Sequence, residues 1–433
     1  MARVRQEFPK GNQIEMIATV VLAATLAVPE TSRLFDRVTD PVSGVVSYIL
    51  RPGTLAESHQ GWYFTTRSMT DDGRFLLFWT ARNEFTHPGQ EANRGPRGAA
   101  CGTGLVDFAT DTAIDLGIPR ACHYLDVKTA QLWYIRRPDP RDPSRDAICR
   151  RDLAVDPMRE IVECQIPPEL IAGVTNIHRY TTHVTLTQNR RKAFFTSWLD
   201  DRYVQGCVNF DTGRWEKWGE TDFYANHDQI CPTDDNVALI AWEDCWKTPD
   251  ALAFRKRTGW YPRMWLCRPD GTHTLQPAYR KNFASHECWA TDGKGFYWCG
   301  GGVWYQDLET GAQTQVCPNP ASHANLTTDN RFVCYDLGME DRSVGHGNSL
   351  WFRVGFWNRT TQKGVLIHSD IPPMTPLGKS SVLHPHCHPA FGGADRYVIA
   401  TRPCADGHFD LSVTPVAQLV EKTSAKGKDD AHD

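Results

Sequence analysis

The stretch Ser285-His286-Glu287-Cys288-Trp289-Ala290-Thr291-Asp292-Gly293, followed by Phe296-Tyr297-Trp298, decides the reading of this chain because it recurs. A second copy starts at His323, reaches Thr328-Asp329-Asn330 at the same spacing, and runs into Phe332-Val333-Cys334. Each copy reads as a short strand, a tight turn built from Thr, Asp and Gly or Asn, and a second strand of aromatic and β-branched residues. Looser copies begin at Tyr63 (Thr70-Asp71-Asp72-Gly73, then Phe75 to Phe78), at His183 (Gln188-Asn189, then Ala193 to Thr196) and at His227 (Asp234-Asp235-Asn236, then Val237 to Ala241). His123 before Leu132-Trp133-Tyr134-Ile135 and His388 before Tyr397-Val398-Ile399-Ala400 complete seven units.

Unit starts lie 37 to 65 residues apart, around the roughly 40–50 of a four-stranded propeller blade, with longer intervals holding inserted loops. Asp211-Thr212-Gly213, Pro269-Asp270-Gly271 and Glu309-Thr310-Gly311 supply later turns within three units. The sequence therefore predicts an all-β fold, a seven-bladed β-propeller over residues 45–416. Val45 to Leu50 is expected to add a strand that closes the ring with pieces from both ends of the chain. Residues 1–44 read as an N-terminal segment, either a signal or a flexible arm, and 417–433 as a charged flexible tail.

Composition narrows the function. With 41% hydrophobic and 23% charged residues over 433 positions, the chain can bury cores and is not mainly disordered. A formal net charge of -4 provides no basic field for a nucleic acid. The apolar run Met16 to Val28 is shorter than the roughly 20 residues of a membrane-spanning helix, so no membrane span is expected. Arg3, Arg5 and Lys10 ahead of it suit a secretory segment, while Glu7 and Glu15 do not; the location stays open between cytoplasmic and periplasmic or secreted. Fourteen cysteines lack the tight spacing of a disulfide scaffold, and no pairing follows from them.

In a propeller the first strand of each blade lines the central channel, so the residues that open these strands meet at one mouth. His123, His183, His227, His286, His323 and the cluster His384/His386/His388 are thereby gathered into one funnel. Within Leu383-His384-Pro385-His386-Cys387-His388-Pro389, alternate residues of an extended segment face the same side, so His386 and His388 can share one ion. His286 is the expected third ligand, with His384, Cys334 or His323 as a fourth. Imidazoles suit Zn²⁺ or Mn²⁺, and a nearby thiolate favours zinc.

The set Asn226-His227-Asp228-Gln229, Ser285 to Gly293, and His386-Cys387-His388-Pro389-Ala390-Phe391 resembles the oligogalacturonate lyases and related propeller-fold polysaccharide lyases, which include ulvan lyases. Tyr63-Phe64-Thr65 through Asp71-Asp72-Gly73-Arg74 resembles their first blade, and the likeness runs from about Tyr48 to about Val413. It implies a divalent metal, manganese or zinc, held by His286, His386 and His388. The family's glutamine ligand is replaced here by Leu383, a place that His384 can fill. It also implies a general base at His227 with Arg202 as its partner. The ulvan lyases, which use His and Tyr, keep His123, His183, Tyr203 and Tyr224 as catalytic or substrate-binding candidates.

Cleaving a uronate-containing oligosaccharide or polysaccharide by β-elimination requires two things. The carboxylate must be neutralised so that the C5 proton becomes removable, and a base must then take that proton. A metal with a neutral imidazole meets both needs, and an arginine, Arg202 or its rivals Arg214 and Arg263, supports the developing charge. The expectation is a metal-dependent lyase acting on oligogalacturonate-type substrates. Its alternatives are a lyase for another uronate polymer such as ulvan, or a propeller that binds sugars or proteins without catalysis. A glycosidase would need a carboxylate pair facing the channel; Asp228 and Glu287, each beside a channel histidine, are expected to alternate away from it.

Overall fold

A computed structural model describes residues 27–81, 101–119, 123–139, 141–181, 183–278, 284–340, 350–369, 387–404 and 409–424. These residues build seven antiparallel sheets, each a blade, and in blades 1 to 6 the strands follow chain order from the channel outward. Blade 1 starts at Ser58–Gln60, blade 2 at His123–Asp126, blade 3 at Ile177–Arg179, blade 4 at Ala225–Cys231, blade 5 at Ser285–Trp289, blade 6 at His323–Leu326 and blade 7 at Ala390–Gly392. The protein is a seven-bladed β-propeller.

The recurrent turn has a physical basis in the first hairpin of each blade. In blades 1, 3 and 6 a threonine hydroxyl (Thr70, Thr187, Thr327) accepts the backbone N–H that starts the second strand, at 3.0–3.1 Å. The same hydroxyl donates to Asp72, Asn189 or Asp329 two residues on, at 2.6–2.9 Å. In blades 1, 3, 5 and 6 one position of the turn is left-handed: Gly73, Arg190, Gly293 and Asn330 have φ between 58 and 78°. Glycine and asparagine take that conformation most readily, which is why they mark the repeat.

Blade 7 closes the ring with Val46–Leu50 paired beside Phe409–Pro415. One further strand, Phe35–Thr39, pairs outside Val46–Leu50, so the closing sheet starts before residue 45. The expected flexible tail begins in a helix instead: Val416–Ser424 is helical, and Leu419 is buried on blades 6 and 7. Its apolar residues Val416, Leu419 and Val420 fall on one side at helical spacing, a pattern masked in sequence by the neighbouring charges.

Seven hydrophobic cores fill the seven gaps between adjacent blades. Phe296 and Trp298 of blade 5, both fully buried, pack on Leu239 and Met264 of blade 4; burying each such side chain contributes roughly 1.5–3 kcal/mol. Twelve cysteines among the described residues are free thiols, ten of them buried, and they behave as small apolar fillers. No helix among the described residues is long and apolar enough to cross a membrane.

Candidate functional site

Two local irregularities aim side chains into one mouth of the channel. In blades 4 and 5 the pairing of the inner strand slips between Asn226 and Gln229 and between Ser285 and Cys288. His227 and His286 lie inside these bulges with left-handed backbones, φ 57 and 52°, and His388, just ahead of the inner strand of blade 7, has φ 41°. Such a conformation is unfavourable for a residue with a side chain, by roughly 1–2 kcal/mol. A bulge turns its side chain out of the regular pleat, and here each turns an imidazole toward the axis.

The second irregularity is an excursion. The inner strand of blade 1 pairs through Ser58–Gln60, leaves the sheet, and touches it again at the Met69–Leu76 bridge. The residues between carry Tyr63 into the centre of the channel, where its ring lies 4.8–6.5 Å from the rings of His183, His227, His286, His323 and His388. Phe64 packs under His286 and His323, and its carbonyl accepts the Asn325 side-chain amide at 3.1 Å. Blade 3 does the same on a smaller scale: its inner strand pairs at Ile177–Arg179 and again at Thr185–Leu186, and the interruption carries His183.

A chain of polar contacts runs from the mouth into the blades. The Tyr63 hydroxyl lies 3.1 Å from His227 Nε2, and His227 Nδ1 lies 2.8 Å from Glu287 Oε1. The carboxylate assigns the imidazole proton to Nδ1, which leaves Nε2 to accept from the phenol. Arg263 Nε donates to Glu287 Oε2 at 3.0 Å, and its Nη2 donates to Glu243 Oε2 at 3.2 Å. Burial alone would raise the Glu287 carboxyl, but the charges of Arg263 and His227 overcome it and hold the group at about 2. Burial, then Glu243 and Glu287, push Tyr63 well above the ordinary phenol range, so it is a proton donor at neutral pH. Burial, His227 and Arg179 push His183 well below the ordinary imidazole range, so it is neutral.

Beside this chain sits a second imidazole group. The rings of His286 and His323 are 3.8 Å apart and those of His323 and His388 4.5 Å. His323 Nδ1 donates to Asp336 Oδ2 at 2.9 Å, both residues fully buried, which fixes the ring and its tautomer. Among the described residues no three His, Cys, Asp or Glu side chains are already arranged around a metal position. Of the expected ligands, His384 and His386 lie outside the described residues.

The other sequence candidates divide. His123 is buried one step from the cluster, packed on Trp62 and Tyr134. Tyr203 and Tyr224 stack on each other at 5.5 Å beside Trp198. Arg202 is not brought to the histidines: it opens the third strand of blade 3, half exposed, with Glu220 3.6 Å away. Arg214 is exposed on the outer strand of the same blade. Cys334 faces the core between blades 6 and 7, its thiol directed at the Asn325 carbonyl. Glu287 does not alternate away from the site as expected, because the bulge at His286 shifts the strand phase and delivers the carboxylate to His227 of the neighbouring blade. Asp228 does point away, to Thr196 and Thr181.

Sequence reasoning missed Tyr63, Glu243 and Arg179 as site residues. The repeat held the signal for Tyr63, which stands in blade 1 where the other units place a histidine.

No protein-family model matches the sequence, and no curated protein matches it. Solved structures do. One, an oligogalacturonate lyase in complex with manganese, superposes with a TM-score of 0.63 at 19% identity, over 88% of this chain and 96% of that one. A second, the oligogalacturonate lyase of Vibrio parahaemolyticus, gives a TM-score of 0.64 at 16% identity over the same shares. The chain has the fold of the oligogalacturonate lyases. Nearly the whole length of each lyase is matched, so the likeness includes ring closure as well as the number of blades.

Proposed function

We propose that the protein is a lyase that cleaves uronate-containing oligosaccharides by β-elimination with a divalent cation, on oligogalacturonate-type substrates first. The observation that carries this reading is the chain Tyr63–His227–Glu287–Arg263 opening beside the imidazoles of His286, His323 and His388. Those imidazoles suit a divalent cation such as Mn²⁺ or Zn²⁺ in donor chemistry, and Asp336 orients one of them as second-sphere carboxylates do. His286 and His388 would hold the ion together with His386, with His323 or His384 completing the set. When bound, the cation supplies Lewis-acid stabilisation of the negative charge that builds on the uronate carboxylate.

The chain's own residues account for the proton. His227 Nε2 is the basic nitrogen, because Glu287 holds the other proton on Nδ1 and stabilises the imidazolium that forms when Nε2 takes up the C5 proton. Arg263 keeps Glu287 ionised and in place. The Tyr63 phenol, within hydrogen-bond distance of the same nitrogen, hands its proton to the leaving oxygen and recovers one from His227. In this reading Arg263, rather than Arg202, is the arginine behind the base, and Arg202 serves the rim of the cleft.

The test is ultraviolet absorbance of the unsaturated uronide during incubation with oligogalacturonides and with ulvan, with and without a chelator. A chelator-sensitive rise on oligogalacturonides supports the reading. A rise on ulvan alone redirects the substrate, and no rise on either with folded, metal-loaded protein refutes the lyase.

A further inference from the structure

Next to the proton chain, on the blade 3 side of the mouth, lies an arginine with no carboxylate paired to it among the described residues. Arg179 ends the first segment of the inner strand of blade 3, four residues before His183. Its guanidinium lies over the Tyr224 ring at 4.9 Å and 5.8 Å from the Trp198 ring. Trp198 and Tyr203 stack at 5.6 Å, Tyr203 and Tyr224 at 5.5 Å, and His178 stacks on Trp198 at 4.1 Å. These rings stack on one another in a row, and the guanidinium lies against its Trp198 and Tyr224 members.

The other arginines of this region are committed. Arg263 is paired with Glu287 and Glu243, Arg137 with Asp146, and Arg202 with Glu220. Arg179 has no carboxylate within 4 Å among the described residues. Asp228, whose charge it feels, spends its oxygens on Thr196 and Thr181. A part-buried guanidinium with no carboxylate beside it keeps N–H donors for an incoming anion, in the fork geometry that matches a carboxylate.

We infer that Arg179, held against Trp198 and Tyr224, receives the carboxylate of a second uronate, the sugar next to the one whose proton His227 removes. The inference rests on the lyase reading and adds to it the residue that holds the neighbouring acidic sugar.

The experiment is calorimetric binding of galacturonate and of trigalacturonate, in the His227→Ala background so that ligand is not consumed. Arg179→Gln is expected to weaken trigalacturonate on the order of 10- to 100-fold, the worth of a charge-assisted hydrogen-bond pair, and to leave galacturonate within about 3-fold, since that ring sits elsewhere. Arg179→Lys, which keeps the charge and loses the fork, should fall between them. Unchanged melting temperatures separate lost contact from lost fold. Equal trigalacturonate binding by R179Q and its parent overturns the second subsite and leaves the lyase reading intact. Equal losses on both ligands place Arg179 at the reacting ring and also overturn it. A parent that binds neither uronate overturns the lyase reading, and this inference with it.

Discussion

Asp228 offers a prediction that depends on the packing alone. The residue is 1% exposed and takes hydrogen bonds from the Thr196 backbone N–H at 3.1 Å and from the hydroxyls of Thr196 and Thr181 at 2.5 and 3.2 Å. Burial outweighs these bonds and the charge of Arg179, so its carboxyl is raised from 3.8 to about 6. Between these values the folded protein keeps a proton that the unfolded chain has released, so stability falls as pH rises through that window and stays low above it. A shift of roughly two units corresponds to ~3 kcal/mol. Asp228→Asn removes the titration but leaves an amide N–H facing a backbone N–H, so its absolute stability is a poor guide. The difference between the two proteins is the diagnostic. Urea unfolding from pH 4 to pH 7 should show the asparagine variant gaining on the wild type by ~3 kcal/mol across that range, an order-of-magnitude figure. A pH-independent difference would refute the argument that Asp228 is desolvated.

Three further outcomes are expected. His227→Ala should abolish turnover while metal content measured by atomic emission stays near that of the wild type, whereas His286→Ala with His388→Ala should strip the metal; metal lost with His227 would place that residue in the coordination sphere. Glu287→Gln takes a buried carboxylate from Arg263, 1% exposed, and should lower unfolding free energy by roughly 3–5 kcal/mol as well as turnover; an unfolding curve like that of the wild type would show that the ion pair is not confined. Arg202→Ala, removing a half-exposed guanidinium, should keep turnover within about tenfold of wild type, because such surface pairs are worth roughly 0–1 kcal/mol; a loss of a thousandfold or more would return Arg202 to the catalytic role suggested by the sequence.

The blade count was legible because the Thr-Asp-Gly turn depends on local chemistry: a hydroxyl that bonds the next strand and one left-handed residue leave a mark in the sequence wherever they occur. The histidines at the strand starts were legible for the same reason, since position within the repeat fixes the mouth they reach. What stayed hidden depends on broken regularity. Alternation along Ser285–Trp289 turns Glu287 away from the site, and only the bulge at His286 carries its carboxylate to His227. The excursion that places Tyr63 on the axis lies in a repeat whose first position is not histidine, so the convergence argument passed it over. Arg179 and Arg202 lie in one blade, and linear spacing gives no means to tell which of them stands against Trp198 and Tyr224. The helix Val416–Ser424 was obscured because its apolar side is only three residues wide and runs into a charged end.

The central claim is elimination, and the mass of the products tests it most directly. When the metal-loaded protein is incubated with trigalacturonate in ¹⁸O-labelled water, elimination breaks the C4–O bond without consuming water. The account predicts one fragment lighter by one water than a hydrolysis product and no label in either fragment. Two saturated fragments, one carrying ¹⁸O, would contradict it and identify a hydrolase on this propeller.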